Sequence, residues 1–150
     1  MRHSILIGSD KEQIISRVLQ LNEHTEKQWG NMEVTGMLHH LNESIKLLLS
    51  AKPKHPKTLI KQQILKFIFL HILKKFPRNA KTISSLDVVG SRLETNSFEE
   101  ERTDLLRLLN QFQRATEIKA IHPYFGQLTK NEWGIFTWMH LDHHLRQFDI

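Results

Sequence analysis

The chain has 150 residues, a formal net charge of +5 and no cysteine. This length is typical of one domain, and we expect a single domain spanning residues 1–150. The absence of cysteine excludes a disulfide scaffold and a thiolate metal site, and it fits a cytoplasmic protein. The longest apolar run, residues 68–73, is interrupted by His71 and is too short for a transmembrane segment.

The positive charge is concentrated in one stretch. No acidic residue lies between Ser44 and Leu86, whereas acidic residues outnumber basic ones elsewhere. A solvated face is the common explanation for such a stretch, and attraction of an anionic molecule is the alternative. The ten basic residues are Lys46, Lys52, Lys54, Lys57, Lys61, Lys66, Lys74, Lys75, Arg78 and Lys81.

The first half of the chain predicts two amphipathic helices. Ser9 and Glu12 have the spacing of a capping box, so we expect the first helix to begin there and to end near residue 25. A second apolar stripe at helical spacing covers residues 34–51. The prolines of residues 52–57 then require a connector, because proline removes a backbone donor and restricts its predecessor.

The second half predicts a short helix at residues 58–75, an irregular crossing at residues 78–97 and two further helices. These two cover residues 99–119 and, after a capping box of Thr129 and Glu132, the chain to about residue 148. No strand pattern is evident. We therefore expect an all-α fold, namely a four-helix bundle with a long crossover between helices two and three that carries an extra short helix.

Two distant segments place histidines at metal-chelating spacing. His140 and His144 are four residues apart, so on the last helix both imidazoles point from one face. On the second helix His40 lies on the flank of the apolar arc, whereas His39 lies outside it with Glu43 and is predicted to be at the surface. Three histidines with a vacant position are the pattern of a catalytic zinc site.

Several alternatives remain for the histidines. A histidine on a half-apolar face is more often a hydrogen-bonded core residue than a ligand. A ligand pair that uses His143 in place of His144 also stays open. His122 is expected to fix a loop, and Gln147 or Thr137 is expected to orient His144 by a hydrogen bond.

Motifs across nearly the whole chain carry a resemblance to a known family. They lie at residues 29–32, 37–41, 78–79, 98–102, 122–126, 132–134 and 140–148. The chain resembles a group of bacterial proteins of unknown function within the DinB/YfiT-like superfamily of proposed metalloenzymes. The C-terminal histidine-rich motif is the most specific of these features.

The resemblance implies a DinB-like bundle with up-down-down-up connectivity, a homodimer, and a divalent metal ion, zinc or nickel, held by three histidines. Residue by residue, the ligand positions correspond to His40, His140 and His144. Characterised relatives are similar to transferases and isomerases that use bacillithiol, mycothiol or glutathione. The implied function is metal-dependent, thiol-dependent transfer to a small electrophilic substrate.

A non-catalytic bundle is the second hypothesis. In it the histidine cluster is structural or vestigial, and the basic helix at residues 58–75 binds a protein partner or an anionic surface. A nucleic-acid partner is not expected, because the aromatic residues of the basic stretch, Phe67, Phe69 and Phe76, are predicted to pack inward.

Overall fold

The computed structural model describes residues 2–53, 59–73, 75–76, 78 and 96–150, and this part of the chain is mostly helical. None of its helices is both long and apolar enough to cross a membrane. The elements are α1 (Gly8–Gln20), α2 (Val34–Ser50), α3 (Ile60–Phe67), α4 (Phe98–Arg114), β1 (Ile121–His122), β2 (Gly126–Gln127) and α5 (Lys130–Gln147). A π-helical turn, Ile68–Ile72, continues α3, and β1 and β2 form a small hairpin between α4 and α5.

Capping boxes start α4 and α5. The Thr129 hydroxyl accepts from the Glu132 amide and the Glu132 carboxylate accepts from the Thr129 amide, as predicted. Ser97 and Glu100 form the same box at the start of α4, although we did not predict it. Each box satisfies two backbone donors that a helix end otherwise leaves free.

The predicted capping box at the start of α1 is wrong. The helix begins at Gly8 without a side-chain cap and ends at Gln20 rather than near residue 25. The nearby carboxylate of Asp10 instead accepts from the Ser4 amide at 2.9 Å and pairs with His3. The carboxylate of Asp10 therefore holds the N-terminal segment against the start of α1, where the sequence predicted a Ser9–Glu12 cap.

The segment after α2 differs in part from the prediction. α3 and its π-helical turn supply the extra helix between α2 and α4, while most of the predicted irregular crossing lies outside the described residues. α4 ends at Arg114 rather than near residue 119. The antiparallel hairpin that follows pairs Ile121 with Gln127 and was not predicted, because two-residue strands are too short to show an alternating pattern.

Four helices share the hydrophobic core. α2 packs against α4 and α5, and α1 packs against α5 and α4, so each of the four contacts two others. Their apolar faces meet in one buried cluster. Its helical members include Ile14, Val18, Met37, Leu38, Leu41, Ile45, Leu105, Leu108, Leu109, Phe112, Trp133, Trp138, Leu141 and Leu145.

A glycine allows the N-terminal segment to lie against α5. The Ile5 amide donates to the Gly134 carbonyl at 3.1 Å. A Cβ atom at Gly134 would lie 2.5 Å from Ser4 Oγ and 2.8 Å from Leu6 Cγ, which is closer than atoms can approach without a shift. The close packing of this segment on α5 therefore depends on the missing side chain.

A buried carboxylate links α2 to α4, and it corrects the prediction for His39. Glu101 is fully buried and its carboxylate contacts His39 Nδ1 at 2.8 Å and Asn42 Nδ2 at 2.6 Å. The His39 side chain is only 12% exposed, so its predicted surface position is wrong. α4 covers the flank of α2 that helical periodicity alone assigns to solvent.

Candidate metal centre

Three histidines from two helices meet at one point. His40 projects from α2, and His140 and His144 project from successive turns of α5. The His140 Nε2 atom lies 3.1 Å from Nε2 of His40 and 3.1 Å from Nε2 of His144. One nitrogen from each ring lies within 4.8 Å of the other two. The predicted convergence of these three rings is therefore present.

A glutamine fixes the orientation of one ring. His144 Nδ1 lies 2.6 Å from Gln147 Oε1, one turn further along α5, and both residues are buried. An amide oxygen can only accept, so Nδ1 carries the proton and Nε2 keeps its lone pair toward the cluster. Of the two orienting residues that we predicted, Gln147 makes this contact. Thr137 Oγ1 has no hydrogen-bond partner among the described atoms.

Burial favours the uncharged form of two imidazoles in the cluster. It lowers the pKa of His144 to about 3, with a further contribution from neighbouring His40. Burial and the adjacent His144 and His40 hold the pKa of His140 well below its ordinary value. Uncharged imidazoles are the form that binds metal ions. His140 and His144 are therefore in the form that a metal site requires at pH 7.

His143 lies beside the cluster but contributes no nitrogen to it. Its ring packs edge-on against Trp29 at 5.0 Å and against His144 at 5.1 Å. Burial lowers its pKa, and the charge of Arg146 acts in the same direction. Among the described residues the convergent set is the i, i+4 pair of α5 with His40, not a pair that uses His143.

His122 fixes the hairpin, as expected for a residue in a tight loop. Its Nδ1 atom accepts from the amides of Tyr124 and Phe125 at 3.2 and 3.3 Å. The ring stacks on Phe125 with centroids 4.2 Å apart. Burial lowers the pKa of His122 to about 4, so this imidazole is also neutral at pH 7.

The three histidines form part of the wall of a cavity of about 810 Å³. The other walls come from α2, from α3 with its π-helical turn, and from the hairpin. Glu43 of α2 and Asp142 of α5 do not line it: Glu43 binds Lys46, and Asp142 binds Arg17 and Arg146. The described lining therefore offers no carboxylate that could act as a general base.

A loop that we did not connect with the site supports Gln147. The Gln28 amide donates to the Gln147 carbonyl at 2.6 Å. Gly30 has a φ of 86° and approaches the Gln147 side chain so closely that a Cβ atom there would lie 2.8 Å from Nε2. The sequence marks this loop only by its Trp29-Gly30 pair, and nothing local relates it to a residue at the end of the chain.

Comparison with known proteins adds a family but no activity. The model of the family described as "Protein of unknown function (DUF1569)" matches residues 3–149. The chain therefore belongs to this family. Neither the curated proteins nor the solved structures contain a significant match.

Proposed function

We propose that this member of the family is a divalent-metal-dependent enzyme in which His40, His140 and His144 hold the ion. The observation that carries the proposal is the meeting of three imidazole nitrogens, one from each ring, within 4.8 Å of one another. Nε2 of His140 lies 3.1 Å from Nε2 of both His40 and His144, and one proton on it cannot satisfy both contacts well. A cation bound between the rings would contact all three nitrogens at once.

The donor set fits zinc or nickel. Zinc–nitrogen bonds of about 2.0–2.1 Å in a tetrahedral site put ligand nitrogens about 3.3 Å apart, close to the two 3.1 Å separations from His140 Nε2. Three protein ligands leave a fourth position for a water or a substrate atom, as in catalytic sites. A divalent ion bound here would favour the deprotonated form of a nucleophile at neutral pH.

Thiol transfer is the reaction that we propose for this centre. In it a low-molecular-weight thiol gives its proton to water, its sulfur forms a bond to a small electrophile, and the leaving group departs with the electron pair of the broken bond. Such a reaction needs no protein carboxylate when the metal favours the thiolate. The absence of Asp and Glu from the described cavity lining is consistent with that requirement.

The DinB/YfiT-like superfamily is the wider assignment that we propose. The mutual packing of α1, α2, α4 and α5, with α3 in the long connection, supports a four-helix bundle of that type. Its up-down-down-up connectivity, a homodimer and a cytoplasmic location are further parts of this proposal. Sedimentation velocity tests the dimer directly.

Metal content tests the enzymatic proposal. After incubation with zinc or nickel and dialysis, the protein should retain about one ion per chain, and His40→Ala or His140→Ala should abolish retention. His24→Ala is the matched control, because that side chain is 86% exposed and its ion-pair partner is the neighbouring Glu23. Retention of the ion by both site variants, or no uptake by the native protein, would contradict the proposal. The transferase activity of native and chelator-treated protein is then compared, with bacillithiol, mycothiol and glutathione as the thiol substrates.

The exposed face of α3 favours a second function, docking on an anionic membrane surface. Ile60, Ile64 and Phe67 are spaced i, i+4, i+7 and are 77%, 56% and 58% exposed, so they form an apolar stripe in solvent. The inward packing that we predicted for Phe67 is therefore wrong, because its side chain is 58% exposed. Lysines flank the stripe and no acid lies between Ser44 and Leu86, which is typical of interfacial helices. The same like charges disfavour self-association through this face.

Co-sedimentation with vesicles tests this second function. Vesicles rich in phosphatidylglycerol should retain the protein and phosphatidylcholine vesicles should not, and salt should weaken retention. Ile64→Glu should abolish binding, whereas Leu19→Glu should not, because Leu19 is equally exposed but lies on α1. Equal retention of both variants, or none by the native protein, would overturn docking by α3 and leave the metal proposal untouched.

A further inference from the structure

An aromatic wall runs along the cavity to the histidine cluster. Phe76 packs against Phe69 and Phe136 with ring centroids 5.0 and 5.5 Å apart. Phe136 in turn lies 5.9 Å from His140. All four rings line the cavity, so a ligand in contact with the histidines also contacts a continuous apolar surface.

The charged residues of the cavity have one sign. The described lining contains Lys52, Arg78 and Lys119 but no Asp or Glu. Lys119 is paired at 2.8 Å with Glu117, which does not line the cavity. Lys52 and Arg78 have no ion-pair partner in the described parts of the chain. Two cations therefore face the cavity, and no carboxylate of the described lining neutralises them.

A series of aromatic contacts connects Arg78 to the histidine cluster. Its guanidinium is 5.5 Å from the Trp29 ring centroid, and Trp29 contacts His143 edge-on at 5.0 Å. His143 is itself 5.1 Å from His144, measured between ring centroids. Two aromatic rings, those of Trp29 and His143, thus lie between the positive charge of Arg78 and His144 of the cluster.

From this arrangement we propose that the cavity binds a small organic anion with an apolar body, for example an aryl- or alkyl-carboxylate. The apolar body packs on the aromatic wall, and the anionic group lies in the positive potential of Arg78 and Lys52. A low-dielectric cavity with charges of one sign concentrates a ligand of the opposite sign. The inference rests on the proposed function, since the same cavity leads such a ligand to the metal-binding histidines.

Calorimetric titration with 4-phenylbutanoate and its neutral amide, 4-phenylbutanamide, tests the ligand class. The two probes have nearly the same shape and differ by one charge. Metal-free protein is used first, so that coordination of the carboxylate by a metal cannot produce a preference. We expect the carboxylate to bind at least about fivefold more tightly than the amide at low ionic strength, as for a partly screened charge pair.

Matched charge variants locate the effect. Arg78→Gln should reduce the preference for the carboxylate to within about twofold, while amide binding stays unchanged. Lys61→Gln removes the same charge from an exposed position on α3 that does not line the cavity, and it should keep the preference. Equal affinity for the two probes, no binding of either at millimolar concentration, or an equal loss in Lys61→Gln would overturn the inference.

The same titrations separate this inference from the proposed function. Zinc uptake by a protein without carboxylate preference would overturn the ligand class alone. Carboxylate preference in a protein that takes up no zinc would overturn the metal-dependent function and leave the ligand class standing.

Discussion

His144 and Gln147 form the contact that orients the candidate metal centre. Nδ1 of His144 lies 2.6 Å from Oε1 of Gln147, and the pair is buried one turn from the end of α5. The donated proton leaves the Nε2 lone pair facing His140, whose own Nε2 is 3.1 Å away. A single amide thereby selects the tautomer that a metal ion requires.

Replacing this amide should weaken metal binding without removing a ligand. We expect Gln147→Leu to lower zinc affinity by about 10- to 100-fold, the usual effect of losing such an orienting partner. Gln147→Glu should keep the affinity, because a carboxylate also accepts from Nδ1–H. Competition with a chromophoric chelator measures both. Unchanged affinity in Gln147→Leu would mean that the contact does not orient the ligand.

The buried carboxylate of Glu101 should matter for stability rather than for metal binding. Glu101→Leu leaves His39 and Asn42 without their shared acceptor inside the protein, so we expect a loss of about 3–5 kcal/mol in the free energy of unfolding. Urea unfolding measures it, with Glu117→Leu at an exposed position as the control. A loss within about 0.5 kcal/mol of that control would contradict a stabilising network.

The close approach of the N-terminal segment to α5 predicts opposite effects for two glycines. Gly134→Ala places a methyl group against Ser4 and Leu6 and should destabilise the protein by about 1–3 kcal/mol. Gly36→Ala on α2 meets no atom within 4 Å and should be neutral or stabilising by up to about 1 kcal/mol. Thermal unfolding of both variants checks the pair, and equal effects would refute the packing argument.

Buried neutral histidines predict a loss of stability in acid for the metal-free protein. The pKa of His122 is lowered to about 4 from an ordinary 6.5, so the unfolded chain binds the proton more readily than the folded one between these values. Stability should therefore fall as the pH drops from 6.5 toward 4, by up to about 3 kcal/mol from this residue.

His122→Asn separates that contribution from those of the cluster histidines. Asparagine keeps an acceptor near the amides of Tyr124 and Phe125 but does not titrate. Urea unfolding of the chelator-treated variant should show a shallower decrease between pH 6.5 and 4 than the native protein. An identical pH dependence would mean that His122 does not contribute.

Local patterns predicted the features that depend on one helix. The spacing of about 100° per residue placed His40, but not His39, in the apolar arc of α2, and the i, i+4 relation paired His140 with His144 on α5. Gln147 was one of the two residues expected to orient His144. The Ser97 box could also have been recognised, since Ser-x-x-Glu precedes an amphipathic run. Each of these signals involves residues that lie only a few positions apart along the chain.

Features that depend on distant contacts were missed. Glu101 is 62 residues from His39, so helical periodicity could not reveal that α4 covers that flank of α2. The Ser9–Glu12 cap is absent at the start of α1, where the Asp10 carboxylate instead accepts from the Ser4 amide, a contact that depends on the docking of the N-terminal segment. Arg78 reaches the cavity from the crossover, where no sequence period indicates a position.

X-ray absorption of the zinc-loaded protein tests the central claim most directly. Three imidazole nitrogens and one oxygen ligand at about 2.0–2.1 Å are predicted for the native protein, and His40→Ala should retain no zinc. A zinc environment dominated by oxygen, or one with the same imidazole count in native protein and His40→Ala, would contradict a centre built by His40, His140 and His144.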